Sequence, residues 1–445
     1  MARVLLIRPG LGRYYSGVGA GLAVTTSPPV NLATLAAVLD RAGHAVRVWD
    51  LEASPQHDLV GALRSEAPDL IGFTFRTPQW EQARGLMALA RNLLPEALLV
   101  AGGPHASSLP EQTLAQTSLD LVVRGEGEHA LLALADGEGP RRVPGVVGRG
   151  FAGPPAQRVE PLDDLPLPAW SLFDLGAYTP RSVVARQTPT ADLESSRGCL
   201  AQCIYCTKAV FGRRFEPFSP ERFVASVLHA KDAGFRSFNL VDDSFTTDLA
   251  RAKAICELLI AHGSPLPWTA TNGIRVTGVD TDFFRLAERA GCRLLAFGLE
   301  SGSDERLRAI GKGATTAQAR RSVAAAQAAG ITTVGYFMLG LPGETVQSLQ
   351  ATIDFAAGLA LDWAKFAITL PLPGTPLWAA WQGRLSRDFD PGMTGHRPPR
   401  DWFDHPDLSW EILEDAQRRA YRRFYGRPAW LRRRLARTLR GRAYL

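Results

Sequence analysis

Three of the five cysteines stand within eight residues, in Ser195-Ser196-Arg197-Gly198-Cys199-Leu200-Ala201-Gln202-Cys203-Ile204-Tyr205-Cys206, spaced Cys-x3-Cys-x2-Cys. Three thiolates on one short loop can hold three irons of a [4Fe–4S] cluster and leave the fourth iron open. An open iron is a reaction site, because a second molecule can chelate it. A zinc ion is the alternative, but zinc closes its shell with a fourth Cys or His, usually in a paired motif. No such pair follows. The spacing favours a cluster on Cys199, Cys203 and Cys206, while Cys256 and Cys292 stand singly in apolar contexts and read as core thiols.

With 445 residues, two to three domains are expected. The formal charge of +6 misleads as an average: eleven arginines and no acid fall between 418 and 445, which leaves −5 for the rest of the chain. The basic character belongs to a tail. Few cysteines, no signal-like start and no apolar run of membrane-spanning length predict a reducing, cytoplasmic setting, which an oxygen-sensitive cluster also needs.

Both halves of the chain alternate apolar strands with helices. In the first half, Arg3–Ile7, Ala45–Trp49, Asp69–Phe75, a run from Leu98 and Leu119–Val123 read as buried parallel strands. A doubly wound, Rossmann-like α/β sheet follows, with its ligand site at the carboxyl ends of the strands. Those ends carry Thr74, Gly102-Gly103-Pro104-His105 and Gly125-Glu126-Gly127-Glu128. Glycines there let a bulky ligand approach the backbone. By residue chemistry alone this is a nucleotide-like pocket. A Pro- and Gly-rich stretch from 137 to 178 reads as an ordered linker. After the cysteine loop, six β/α units predict a partial TIM-type (β/α)6 barrel whose carboxyl-end loops carry the chemistry. The expected partition is 1–140, a linker 141–185, a barrel 186–382 and a helical, Arg-rich extension 383–445.

The signature Cys-x3-Cys-x-aromatic-Cys, with Tyr205 as its aromatic, resembles the radical S-adenosylmethionine (SAM) superfamily. The Gly-Gly-Pro-His run and the Gly-Glu-Gly-Glu run resemble the cobalamin-binding domain fused to many of those enzymes. The resemblance covers roughly residues 1–380. One departure is Leu200, where many relatives have Pro. The resemblance implies SAM on the open iron, contacted by Tyr205, by Asp242 and Asp243 as acceptors for its ammonium, by Asn272 and Arg275 for its carboxylate, and by Glu300 and Ser301 of Gly298-Leu299-Glu300-Ser301-Gly302. It implies cobalamin against Thr74, Gly102, Gly103, Pro104, His105, Gly125 and Glu126. The usual Asp-x-His-x-x-Gly motif is absent, and neither His57 nor His105 fits it, so base-off cobalamin without a histidine ligand is expected.

The function implied is a cobalamin-dependent radical SAM enzyme that C-methylates an unactivated carbon of a small molecule, secondary-metabolite or lipid-like. A cyclase or ring-rearranging enzyme of the same architecture is the alternative, as is a cobalamin sensor without turnover. An external electron donor such as flavodoxin or ferredoxin is expected, and no specific nucleic acid. Trp402, Phe403, His405 and Trp410 read as a substrate-facing cover. The helix from Ile412 to Phe424 places Leu413, Ala416, Ala420 and Phe424 on one side, which predicts packing on the barrel. Peripheral contact of the Arg-rich tail with an anionic membrane surface, and non-specific contact with nucleic acid, are the other readings.

Overall fold

A computed structural model describes residues 1–10, 27–54, 58–178, 187–428 and 430–432, apart from the side chains of 395 and 396. His57 and the arginines from 433 onward lie outside the described residues. In the N-terminal half, β1 (Arg3–Arg8), β2 (Ala45–Asp50), β3 (Leu70–Thr74), β4 (Leu98–Gly102) and β5 (Leu121–Val123) run parallel in the order β2-β1-β3-β4-β5. Alternate residues of β1 enter different layers: Val4 and Leu6 pack on one face, Leu5 and Ile7 on the other. Helices Val30–Arg41 and Glu128–Ala135 cover the first face, and Trp80–Leu93 the second. The stretch read as linker does more than cross between domains. Its β6 (Val146–Gly148) pairs antiparallel with β5, and β7 (Phe151–Ala152) pairs with β6. Segments this short carry too few residues for a readable period-2 pattern.

In the C-terminal half, β8 (Thr190–Leu193) precedes the cysteine loop, whose base is pinned by a two-residue antiparallel pair, β9 (Ser196–Arg197) with β10 (Glu216–Pro217). β11 (Ser237–Leu240), β12 (Trp268–Ile274), β13 (Cys292–Glu300), β14 (Thr332–Leu339) and β15 (Trp363–Ile368) complete a six-stranded parallel sheet in the order β8-β11-β12-β13-β14-β15. The intervening helices start at side-chain caps: Ser219, Asp248, Asp280, Thr315 and Thr345 each accept from the amide three residues on. Ala191, Phe238, Ala270, Phe297, Phe337 and Phe366 face outward into the helical core. The residues between them face a concave inner surface, and several of these are polar.

Helix Trp410–Tyr425 packs on the barrel as its spacing predicts, burying Leu413, Ala416, Ala420 and Phe424. It also finishes the sheet. Tyr425 Oη donates to the Ala364 carbonyl at 2.9 Å and accepts from its amide at 3.2 Å; Tyr421 Oη accepts from the Phe366 amide at 3.2 Å, and Gln417 donates to the Phe366 carbonyl at 2.8 Å. Side chains thus satisfy the edge of β15 that a further strand would have paired. Among the described residues no helix is long and apolar enough to cross a membrane.

Candidate functional site

The cysteine loop leaves β8 and is clamped from three sides. Gly198 sits at φ +78°, and a Cβ there would collide with the Arg214 carbonyl. Gly311, at φ +67°, lets the 310–312 turn approach so closely that a Cβ would lie 2.6 Å from the Gln202 carbonyl. Ile204 donates to the Ile310 carbonyl and accepts from the Leu377 amide. Leu377, Trp381, Trp402 and Phe403 pack over Ile204 and Tyr205, so Trp402 and Phe403, read as a substrate-facing cover, are instead buried lining on the loop. His405 bonds to the Gly340 carbonyl and belongs to the same wall. Cys199 and Cys203 are buried and Cys206 half-buried. Among the described residues no three Cys, His, Asp or Glu side chains converge on a single ion. A cluster spreads its ligands over three irons, so one focal point is not required of these thiols.

Asp242 does not face a ligand. Its carboxylate is fully buried and accepts from the Ser195 amide, Ser195 Oγ and Ser196 Oγ, each at 2.6 Å. This corrects its reading as a SAM contact: it straps the start of the cysteine loop. Asp243 is exposed beside Cys206 and Lys208, and burial of its surroundings pushes its carboxyl up while Lys208 opposes. It accepts no hydrogen bond among the described residues.

Glu300 ends β13 at φ +59°, in left-handed backbone that a non-glycine residue adopts only when its surroundings hold it. The holders are Tyr205 Oη at 3.0 Å and Lys312 Nζ at 2.7 Å, both on Oε1. Gly298 leaves room beneath them: a Cβ would lie 2.7 Å from Glu300 Oε1 and 2.8 Å from Lys312 Nζ, and those side chains would have to shift. Burial, with Glu300 adjacent, pushes the Tyr205 phenol up. Ser301 is a correction of a different kind: it is fully buried, bonds Thr352 Oγ1 at 3.1 Å and braces the turn. Asn272 is exposed, with its amide nitrogen on the Val241 carbonyl; Arg275 bonds only Thr277, through Nε, among the described residues.

The strand ends of the N-terminal sheet and the residues flanking the cysteine segment share one cavity of about 110 Å³. Thr74, Gly102, Gly103, Gly125 and Glu126 line it from one side, and Glu194, Arg197 and Phe211 from the other. Gly103, at φ +88°, could not carry a Cβ without striking Thr74 Oγ1 at 2.7 Å. Pro104 and His105 are not on this wall. They open the short helix Gly103–Ser108, which carries His105 away into a stack on Trp80 (ring centroids 4.7 Å) with a bond to Thr77. Burial pushes the His105 imidazole down to about 4. His105 is therefore corrected from cofactor contact to core residue.

Arg197 joins the halves. Only 4% exposed, it bonds Glu126 at 2.9 Å and Glu128 at 2.7 Å from the N-terminal strand ends, and Glu194 at 2.8 Å from its own loop. One guanidinium among three carboxylates leaves negative charge in excess. Burial, with Glu128 and Asp242 adding, pushes the Glu194 carboxyl up to about 7 against the pull of Arg197. Sequence reading missed Arg197, Glu194, Glu128 and Lys312 as site residues. The available signals were the position of Arg197 beside the first cysteine and the glycines flanking Lys312.

The description "B12 binding domain" fits residues 18–135, and "Radical SAM superfamily" fits residues 193–356. The chain is 33% identical over 368 residues to an uncharacterized methyltransferase of Pyrococcus horikoshii, covering 80% of this chain and 78% of that protein. It is 26% identical to cytidylyl-2-hydroxyethylphosphonate methyltransferase of Streptomyces wedmorensis (78% and 77% covered). It is 27% identical to the anaerobic magnesium-protoporphyrin IX monomethyl ester cyclase of Cereibacter sphaeroides (96% and 71% covered). In fold it is similar to the cobalamin-dependent S-adenosylmethionine radical enzyme OxsB (TM-score 0.77, 18% identity, 94% and 66% covered). It is also similar to the radical S-adenosylmethionine methyltransferase TsrM from Kitasatospora setae (0.68, 23%, 84% and 75%). The chain belongs to the radical SAM superfamily, in the branch that carries a B12-binding domain ahead of the barrel and includes methyltransferases.

Proposed function

We propose that the protein C-methylates an unactivated carbon of a small molecule, with a [4Fe–4S] cluster on Cys199, Cys203 and Cys206, SAM, and cobalamin. The observation that carries this reading is the shared cavity, with the strand-end glycines on one wall and Glu194, Arg197 and Phe211, which flank the cysteine loop, on the other. When bound, these groups supply reductive cleavage of SAM and transfer of a methyl group. The chain supplies position. Asp243 and the unbonded Oε2 of Glu300 offer acceptors for the SAM ammonium, and Arg275 with Asn272 offers donors for its carboxylate. The buried Trp402–Phe403 wall excludes water from the loop. The cavity is apolar toward Leu6, Val30 and Leu35 and has the size of a bicyclic aromatic ring, which suits the detached base of base-off cobalamin. In this reading residues 1–152 form the cobalamin module, the barrel follows to 382, and 383–432 closes it. A small external electron carrier, a flavodoxin or ferredoxin, would reduce the cluster.

The cyclase similarity spans 96% of this chain and favours ring closure as the second reading. Anaerobic reconstitution with iron, sulfide and cobalamin, followed by an untargeted screen for SAM-dependent mass changes, separates them. A methylated product and 5′-deoxyadenosine are expected. SAM cleavage with a product that gains no methyl would favour cyclisation, and neither cobalamin uptake nor SAM cleavage would overturn the proposal.

A further inference from the structure

The concave face of the barrel carries a polar belt at one level. Tyr336 on β14 reaches across β13, where its paired residue is Gly298, to donate to the Thr271 carbonyl on β12 at 2.7 Å. Thr271 Oγ1 donates to Asn239 Oδ1 on β11 at 2.9 Å, and Asn239 Nδ2 donates to Asp192 on β8 at 3.1 Å. Every member from β8 to β14 is therefore engaged with its neighbour. The belt ends at β15 with Lys365, paired in register with Tyr336.

Lys365 differs from the rest. Ala364 and Phe366, on either side of it, are buried outward, so its side chain stands on the concave face, where it is exposed. Among the described residues it forms no hydrogen bond or ion pair. It is one of only five lysines, and two others, Lys208 and Lys312, stand at the cysteine loop and Glu300. Ala367, also exposed on the concave face and two residues nearer the cysteine end, presents only a methyl group there and is paired in register with Met338. Glu300 stands just beyond the belt on β13, across an irregularity after Gly298, and pairs with Phe337, the residue after Tyr336.

We infer that Lys365 recognises the methyl acceptor through an oxyanion, a carboxylate or a phosphate or phosphonate, bound on the concave face beside Ala367. A compact ammonium on a flexible stem suits such a group, and the belt beside it, from Asp192 to Tyr336, is already engaged with itself. The acceptor's reacting carbon then extends from this anchor toward the Glu300 level. The assignment rests on the methyl-transfer reading for the word acceptor, but the anion site itself is testable without turnover.

The probes are phenylphosphonate and benzoate, with benzyl alcohol as neutral counterpart, titrated into the anaerobically reconstituted full-length protein and followed by ligand-observed NMR. Saturable binding of an anionic probe is expected, weakened about tenfold or more in Lys365→Met and recovered in Lys365→Arg. Ala367→Leu, which keeps the charge and adds bulk beside Lys365, should weaken it as well. Preference for phenylphosphonate assigns a phosphoryl-type group, and preference for benzoate a carboxylate. Equal binding of benzyl alcohol, no saturable anion binding, or unchanged affinity in Lys365→Met overturns the inference. SAM cleavage by the unmodified protein, read in the same preparation, reports separately on the proposed function.

Discussion

Arg197 donates to Glu128 at 2.7 Å, so the residue two positions before the first cysteine is held by the strand ends of the other half of the molecule. A buried charge cannot lose its partner cheaply, and this one serves three carboxylates. The cysteine loop and the cobalamin-side strand ends are therefore expected to be stable together or not at all.

Replacing Arg197 with Met strands Glu126, Glu128 and Glu194 in the interior, a loss on the order of 3–5 kcal/mol. Lowered thermal stability together with lowered iron content after anaerobic reconstitution is the expected result. A variant as stable and as iron-replete as the parent would show that the three contacts do not bear on the loop.

The paired aspartates should separate. Asp242→Asn should reduce iron content, because it disturbs the three bonds that set the start of the loop. Asp243→Asn should retain iron and bind SAM more weakly, by roughly 1.5–3 kcal/mol for a lost charged hydrogen bond. Iron analysis and equilibrium binding of SAM decide it; the reverse assignment would return Asp242 to the ligand.

Cys199→Ala, Cys203→Ala and Cys206→Ala should each abolish SAM cleavage. Cys256→Ala and Cys292→Ala should keep the cluster absorbance, since burial pushes both thiols up and they face the helical core. Loss of absorbance in either core variant would reassign the ligands.

Cob(II)alamin bound to the protein should give an electron paramagnetic resonance spectrum without nitrogen triplets, because His105 is stacked on Trp80 and turned from the cavity. His105→Phe should retain cobalamin. Triplets in the parent that vanish in this variant would place His105 on cobalt after all.

Glu194 gives a pH dependence with a defined sign. Its folded value of about 7 lies above the ordinary 4.5, so between those values the folded state holds a proton that the unfolded state has lost. Stability from this group is complete below pH 4.5 and declines as pH rises toward 7. Glu194→Gln should flatten that part of the stability profile measured by denaturant titration. Asp192, raised by burial to about 6, contributes in the same direction and leaves a residual slope.

The sequence by itself determined the two parallel sheets, the barrel helices and the cysteine loop, because each rests on local chemistry: apolar runs, capping residues and the spacing of three thiols. Continuous apolar strands such as Val4–Ile7 can be buried only on both faces, which leaves little freedom in the fold class. Partnership was decided only by the tertiary structure. Asp242 and Asp243 are identical in type and adjacent, yet one is strapped to Ser195 and Ser196 and the other is open beside Lys208, because consecutive residues leave a strand end in opposite directions. His105 looked like a cofactor contact because it belongs to the Gly-Gly-Pro-His run at a strand end, and a helix beginning at Gly103 turned it into the core. Arg197 and Glu128 are 69 positions apart, and Lys312 finds Glu300 across a turn that Gly311 permits. No local pattern encodes a contact whose two partners are set by how two sheets meet.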